Sequence, residues 1–408
     1  MISGWRKMNK NLQKYYELYS ELKESELKMI PLCAAETYVS DFCKSALISD
    51  FEGKYAFSDS FIGGEFIERL NSILSDECKK LFHAQYSNAD TLTGINCFTV
   101  CAMSLLSKND YVLVTTPEQG GHASIPVILD TLGIKYESLP YNYDEFQIDY
   151  NRTNYLCSTG KYSFIIFCQS DIINPPDLSR IMLEKMGVIY DATQTLGLIA
   201  SNIIQNPLDV HNNVVLIGGT HKTLPAPSCG LIMTNNSKYA DKLKNSITPH
   251  YLRNTQPNHI AALLLSLIEQ EQCGFEYQTH VVQLANILGK ELAEYGFIVA
   301  NITHDIYTHT HQLFLLMNKN DMETIFYNAK KYNISLNRKN KLLFRNYGIR
   351  LGTQQIARYN WQSEDIKCLA QLLNCIKQDD SFDTINRLRT VLIKKKHPQF
   401  TFENGIIE

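Results

Sequence analysis

Several features are scarce in this chain, and each absence removes a class of function. Among its 408 residues the longest apolar run, Ile260–Ile268, is too short to cross a bilayer and reads as a buried helix. The first ten residues, Met1–Lys10, lack the apolar stretch of a secretory leader. Charge of one sign is also scarce: the formal net charge is −3, so neither nucleic acid nor an anionic membrane is expected as a partner. The eleven cysteines form no CxxC pair and are scattered, as at Cys33, Cys97, Cys168 and Cys273. That pattern predicts buried free thiols in a reducing cytoplasm, with no metal site. No internal repeat and no low-complexity segment interrupts the chain.

What is present is an ordinary soluble balance, 44% hydrophobic and 20% charged, in a chain long enough for a large core and more than one domain. Residues 7–29 read as an amphipathic helix with Leu12, Tyr15, Tyr16, Leu18 and Tyr19 between charges, an arm for a neighbour or for its own core. Glu65–Phe82 has helical spacing at Phe66, Leu70, Ile73, Leu74 and Leu81. A polar turn over Tyr86–Asn96 leads into a buried helix, Cys97–Leu106. Short apolar runs then alternate with helical stretches. Tyr111–Thr115, Ile134–Ser138, Ser163–Cys168, Val188–Asp191, Val214–Gly218 and Gly230–Thr234 are the strand candidates. Strands separated by helices predict an α/β fold, a mostly parallel sheet with helices on both faces.

The last third differs. A long helix is expected from His259 to Tyr295, broken near Cys273-Gly274. Strands at Gln312–Met317 and Gly348–Gly352, with helices at Met322–Tyr332 and Ser363–Lys377, predict a smaller α+β domain. The expected division is a helical arm (1–30), a large domain (31–275), a small domain (276–378) and a tail (379–408). In that tail the run Lys394–His397 reads as a solvated charge cluster.

Two residues carry the strongest chemical signal. Val188-Ile189-Tyr190 ends on Asp191, and the apolar run Val214–Gly219 leads to Thr220-His221-Lys222. A lysine and an aspartate at the ends of buried strands are the two groups a pyridoxal phosphate enzyme needs. The lysine forms the Schiff base, and the aspartate keeps the pyridine nitrogen protonated. Taken singly, each has a plainer explanation: Asp191 as a strand-end turn residue, Lys222 as a loop lysine. Thr93-Gly94-Ile95 opens a helix, where free backbone N–H groups suit a phosphate, although an ordinary capped helix start reads the same way. His122, after Gly120-Gly121, follows a strand's C-terminal end and could stack on a flat ring or shuttle a proton, or be a surface histidine. Arg350, in an apolar strand, needs a carboxylate, either a substrate's or one of the protein's own.

In this order the residues resemble the serine hydroxymethyltransferase family of fold-type I pyridoxal phosphate enzymes, from about Pro31 to Asn374. Leu32–Thr37, Lys54-Tyr55-Ala56, Gly63-Gly64, Gly120-Gly121-His122, Tyr190–Gly197, Thr220–Leu224 and Gly348–Thr353 carry the likeness, and Thr220-His221-Lys222-Thr223-Leu224 matches its family motif outright. The resemblance implies pyridoxal 5'-phosphate as cofactor. Lys222 would hold it, Asp191 would pair with the ring nitrogen and His122 would stack on the ring. Thr93, Gly94 and Ile95 would cradle the phosphate, and Ser170 would approach the ring hydroxyl. Gln194, Thr220 and His221 stand at further cofactor positions. Arg350 would bind the substrate carboxylate, with Glu36 and Tyr55 also at the substrate, Tyr55 from the second subunit of a homodimer.

The sequence also departs from the family. The acid expected two residues after Tyr55 is Phe57, and the paired tyrosines before Gly63 are Phe61 and Ile62. Ala35 replaces a substrate-holding serine, Gln194 a histidine and Gln119 the first histidine of the Gly120-Gly121-His122 motif. Pro117 and Ala123 replace folate-flanking leucines, and Leu252-Arg253-Asn254 a segment that reaches the neighbouring phosphate. Losing a positioned acid/base costs roughly 100- to 10,000-fold. The expectation is a transferase or lyase acting at Cα of an amino acid, an aldolase or transaldolase independent of folate. True glycine/serine hydroxymethyl transfer, racemisation, decarboxylation, β/γ-substitution and a non-catalytic paralogue are the alternatives.

Overall fold

A computed structural model describes residues 9–402. Its main sheet has seven strands: β1 (Tyr86–Asn88), β2 (Tyr111–Val114), β3 (Lys135–Ser138), β4 (Phe164–Cys168), β5 (Gly187–Asp191), β6 (Val214–Gly219) and β7 (Gly230–Thr234), in the order β1-β7-β6-β5-β4-β2-β3. The strands from β6 to β3 are parallel, and β7 runs antiparallel to both its neighbours. Strands buried on both sides read as continuous apolar runs, which is why Phe164–Cys168 and Val214–Gly219 were legible. Alternate residues feed two cores. Ile165, Phe167, Val188 and Tyr190 point to one face, Phe164, Ile166, Cys168 and Ile189 to the other. Helix α2 (Gly64–Phe82) covers the first face and α3 (Gly94–Leu105) the second.

The chain order steps from β2 out to β3, then returns to place β4 on the other side of β2. Open α/β sheets bind ligands at such a reversal, beyond the strands' carboxyl ends. A second, antiparallel sheet has the order β8 (Ile298–Val299), β9 (Gln312–Leu316), β11 (Gly348–Gly352), β10 (Asn337–Lys339). Its core is shared with α5 (Lys319–Lys331), α6 (Ser363–Gln378) and the later half of α4 (Pro257–Glu294). Ile30 and Leu32 also belong to this core, and Ile30-Pro31 pairs with Ile334-Ser335.

Three expectations need correction. The long helix α4 is unbroken. A Cβ on Gly274 would lie 2.7 Å from Ser201 Oγ and closer still to Gln270, so the glycine serves a close approach rather than a break. The tail carries a further helix, α7 (Phe382–Ile393), whose Ile385, Leu388 and Leu392 are buried in the second core. In the run after it Lys394, Lys395 and His397 are exposed, in line with a solvated cluster, while Lys395 also pairs with Asp365 and Lys396 donates to the Glu26 carbonyl. The polar turn at 86–96 contains strand β1, three residues too short and polar to show a period. Among the described residues, no helix is long and apolar enough to cross a membrane.

Candidate active site

The carboxyl ends of β2, β4, β5 and β6 converge. Strand register sets Cys168 beside Asp191 and Asp191 beside Ile217. The Cys168 thiol donates to Asp191 Oδ2 at 2.9 Å, and the Thr193 N–H donates to Oδ1 at 2.8 Å. Burial beside the Asp191 carboxylate holds the Cys168 thiol well above its usual pKa, so it remains a donor.

Two residues beyond β6, His221 adopts φ of +70°, turning the chain sharply before Lys222. Burial lowers the Lys222 amine to about 8; Asp191, Cys168 and Asp171 oppose the shift, and Arg350 adds to it. Those four groups are therefore its electrostatic neighbours. The same burial, with Lys222 beside it, takes His221 down to about 4, and its Nδ1 is buried without a partner.

A pair of glycines delivers His122. Gly120 has φ of +84°, and its carbonyl accepts from Ser170 N at 2.7 Å and Asp171 N at 3.1 Å. A Cβ on Gly121 would lie 2.1 Å from the Thr115 carbonyl oxygen. A Cβ on Gly120 would lie 2.2 Å from the Asp171 carbonyl oxygen, so only glycine lets this loop lie so close to the turn after β4. His122 N then donates to the Cys168 carbonyl at 2.8 Å. Burial lowers the His122 pKa; Lys222 and Lys341 add to that and Asp191 opposes it, so the ring is neutral at physiological pH.

Helix α3 begins with Thr93 as its cap, the hydroxyl accepting from Asn96 N at 3.3 Å. A Cβ on Gly94 would lie 2.5 Å from Thr193 Oγ1 and 2.9 Å from Gly219 N, so the helix start lies directly against the end of β6. Thr193 Oγ1 also accepts from Gly219 N at 2.8 Å. The first N–H groups of a helix have no partner within it, and here they open beside Asp191's own loop.

Arg350 does not stand free. Its Nη1 donates to the Ser170 carbonyl at 2.6 Å and to Asp171 Oδ1 at 2.8 Å, and Nη2 donates to Asn337 Oδ1 at 3.1 Å, while Nε is buried without a partner. The expectation of an arginine waiting for a substrate carboxylate is thus qualified, because the protein already supplies one. Asp171 is fully buried, and Lys339 Nζ at 2.7 Å and Lys341 Nζ at 2.8 Å also bind it. These cations outweigh burial and hold its carboxyl down at about 2.

The other sequence candidates divide. The Thr220 hydroxyl bonds back to Pro227 and Cys229, closing its own loop. Gln194 Oε1 accepts from Gln312 Nε2 at 2.9 Å, and that amide also donates to the Ser170 carbonyl at 3.1 Å. Both side chains are therefore engaged with the protein. Ser170 contributes its backbone carbonyl to Arg350. Glu36 is exposed in a turn, and Tyr55 stacks on Phe61 with centroids 4.6 Å apart. No described hydrogen bond joins Glu36 or Tyr55 to Lys222, Asp191 or Arg350.

Sequence reading missed Asp171, Lys339, Lys341 and His311. His311 is fully buried; burial, with Arg350 and Lys222 nearby, takes it to about 3. The usable signal was the alternation Asn337-Arg338-Lys339-Asn340-Lys341, which puts both lysines on one side of an extended segment.

The set fits pyridoxal phosphate. It offers an amine of lowered pKa, an aspartate with acceptor capacity remaining, a neutral histidine, an unpartnered His221 Nδ1 and a helix start too tight for any side chain at Gly94. Comparison with known proteins agrees. A family model described as serine hydroxymethyltransferase matches residues 8–373. Serine hydroxymethyltransferase of Picrophilus torridus is 28% identical over 362 residues, covering 84% of this chain and 83% of its own. That of Methanothermobacter marburgensis is 28% identical over 370 residues, 86% of each. Among solved structures, L-threonine transaldolase from Pseudomonas fluorescens superposes with a TM-score of 0.88 at 19% identity, over 98% of this chain and 96% of that one.

Proposed function

The chain belongs to the serine hydroxymethyltransferase family and is a fold-type I pyridoxal phosphate-dependent enzyme, and we propose that it makes or breaks the Cα–Cβ bond of a β-hydroxy amino acid without folate, as an aldolase or transaldolase. One observation carries this reading. The loop that holds Tyr55 is an aromatic set, Tyr55, Phe57 and Phe61, with Phe57 and Phe61 centroids 6.4 Å apart, where the family places an acid. Phenylalanine moves no proton, while Lys222, Asp191, His122 and Arg350 are kept. The transaldolase name of a structural neighbour is in line with this reading.

When bound, pyridoxal phosphate supplies an electron sink for charge developing at Cα. The protein's residues do the rest. Arg350 offers its unpartnered Nε, and the second N–H of Nη2 beside its bond to Asn337, to the substrate carboxylate while Asp171 and the Ser170 carbonyl fix Nη1. That anchorage orients the Cα–Cβ bond. Asp191 holds a proton at the ring nitrogen, its carboxylate kept in place by Thr193 N and Cys168 Sγ. His122 stacks neutral on the ring. The Lys222 amine, about 8 when free, is neutral often enough at cellular pH to take the β-hydroxyl proton or return one to Cα.

A second copy of the chain completes the site in this reading. Helix α1 (Lys10–Lys28) has no buried residue and exposes Leu12, Tyr15, Tyr16, Leu18, Tyr19, Leu22 and Leu27. Ile62 is fully exposed beside the partly exposed Phe61 and Phe66. Apolar surface of this extent marks an interface.

The test is aldehyde release from L-threonine and related β-hydroxy amino acids by the cofactor-loaded protein, with and without tetrahydrofolate. Equal rates in both are expected. Glycine formed from serine only when tetrahydrofolate is added would overturn the reading in favour of hydroxymethyl transfer, the activity named for the relatives.

A further inference from the structure

Charge at Asp171 does not balance. Arg350, Lys339 and Lys341 all bind this one carboxylate, leaving two positive charges uncompensated. Among the described residues no other carboxylate lies within ion-pair distance of the three cations. Gathering like charges in a half-buried space is costly unless something of opposite sign arrives. Burial already depresses Lys339 from its usual range, with Arg350 and Lys341 adding to the effect.

Their placement follows from the backbone. Strand β10 pairs Asn337 with Arg350 of β11, and the two-residue period puts Lys339 on the Asn337 side. Arg338, on the opposite face, lies 4.7 Å over Phe326 and takes no part. Lys341 continues the same side past the strand end. Its Nζ reaches to 3.5 Å from the Gly121 carbonyl, next to His122. The lysine side chains retain 16% and 24% exposure while Asp171 has none, so the cluster is reachable through its lysines and not through its carboxylate. Arg350 Nε is buried and unpartnered, so it keeps a donor to give.

We infer that the substrate carries a second anionic group on its side chain, besides the α-carboxylate, and that Lys339 and Lys341 receive it while Arg350 receives the α-carboxylate. This rests on the amino-acid reading above and narrows it. The β-hydroxy amino acid made or cleaved has an acidic side chain, a carboxylate or a phosphate, whichever half of the molecule brings it. Asp171 is then a positioning residue, gathering the three cations and leaving two of their charges for the ligand.

The experiment titrates the holoprotein with two isosteric pairs, L-aspartate against L-asparagine and L-glutamate against L-glutamine, and with 3-hydroxy-L-aspartate and O-phospho-L-threonine against the neutral L-threonine. Cofactor absorbance and heat of binding are read independently. An acidic member is expected to bind at least roughly tenfold tighter than its neutral counterpart, an advantage that shrinks as salt is raised. The aspartate and phosphothreonine arms separate a carboxylate from a phosphate. In Lys339→Met and Lys341→Met the advantage should fall by roughly tenfold. Neutral amino acids should bind these variants within about twofold of wild type, which shows that the fold is intact. Neutral members binding as tightly as acidic ones, or an acidic advantage that survives both substitutions, overturns the inference. No response to any amino acid would overturn the amino-acid reading itself; a response without acidic preference removes only the second anion.

Discussion

Two aspartates influence the same lysine, and they differ in what their oxygens already hold. Asp191, at the end of β5, accepts from one thiol and one backbone N–H and has no cation within ion-pair distance among the described residues. Asp171, in the turn after β4, is fully buried and holds three cations. Asp191 keeps acceptor capacity for a ligand. Asp171 has none to give, and offers instead the cations it has gathered. The role of each carboxylate is thus set by its satisfied bonds, not by its position at a strand's end.

Removing Lys222 should have the largest effect, because nothing else at Asp191 can make the covalent bond. Lys222→Met is expected to lose at least about 1,000-fold in turnover and the visible absorbance of the bound cofactor. Absorbance retained in the variant would place the attachment elsewhere. The comparison itself is tested next. Asp171→Asn leaves three cations without a carboxylate and should cost about 3–5 kcal/mol in urea unfolding, whereas Asp191→Asn should cost far less stability and far more activity. The reverse ranking would exchange the roles assigned to the two residues.

Proton linkage separates the regions further. Asp171 is held at about 2 against an ordinary 3.8, so its contribution to stability is complete above about pH 4 and is lost as pH falls towards 2. Unfolding of the wild type should show that loss, and Asp171→Asn should not. Lys222 behaves oppositely. Its folded value of about 8 lies below the ordinary 10.5, so the unfolded chain binds more protons between them, and cofactor-free protein should gain stability as pH rises across that interval. Lys222→Met should abolish the gain, as read from the Tm against pH. The smallest effect is expected at the helix start. Gly94→Ala forces a Cβ to 2.5 Å from Thr193 Oγ1 and should weaken cofactor retention by roughly tenfold, measured by equilibrium dialysis.

Much of the fold was legible because its signals are local. Apolar runs such as Val214–Gly219 end on polar residues at the sheet edge, and the 3.6-residue period of 65–82 matched helix α2. The short strand β1 and helix α7 escaped, the first for want of a period and the second because its three buried apolar residues lie among charges. In the site, Asp191 and Lys222 stood out as strand-end groups. What Thr220 and Gln194 bond to within the protein was not legible, because a side chain's partner is a tertiary fact.

The sequence by itself determined the strand-helix alternation and the placing of an aspartate and a lysine at neighbouring strand ends, since hydrophobic periodicity acts over a few residues. Only the tertiary structure decided what Arg350 meets. Asp171 lies 179 positions before it and 170 before Lys341, in a turn at the end of the other sheet. No periodicity reaches that far. The pairing depends on how the edge of the small sheet packs over the ends of the large one, and that packing turned an arginine with one expected partner into a cluster with two charges to spare.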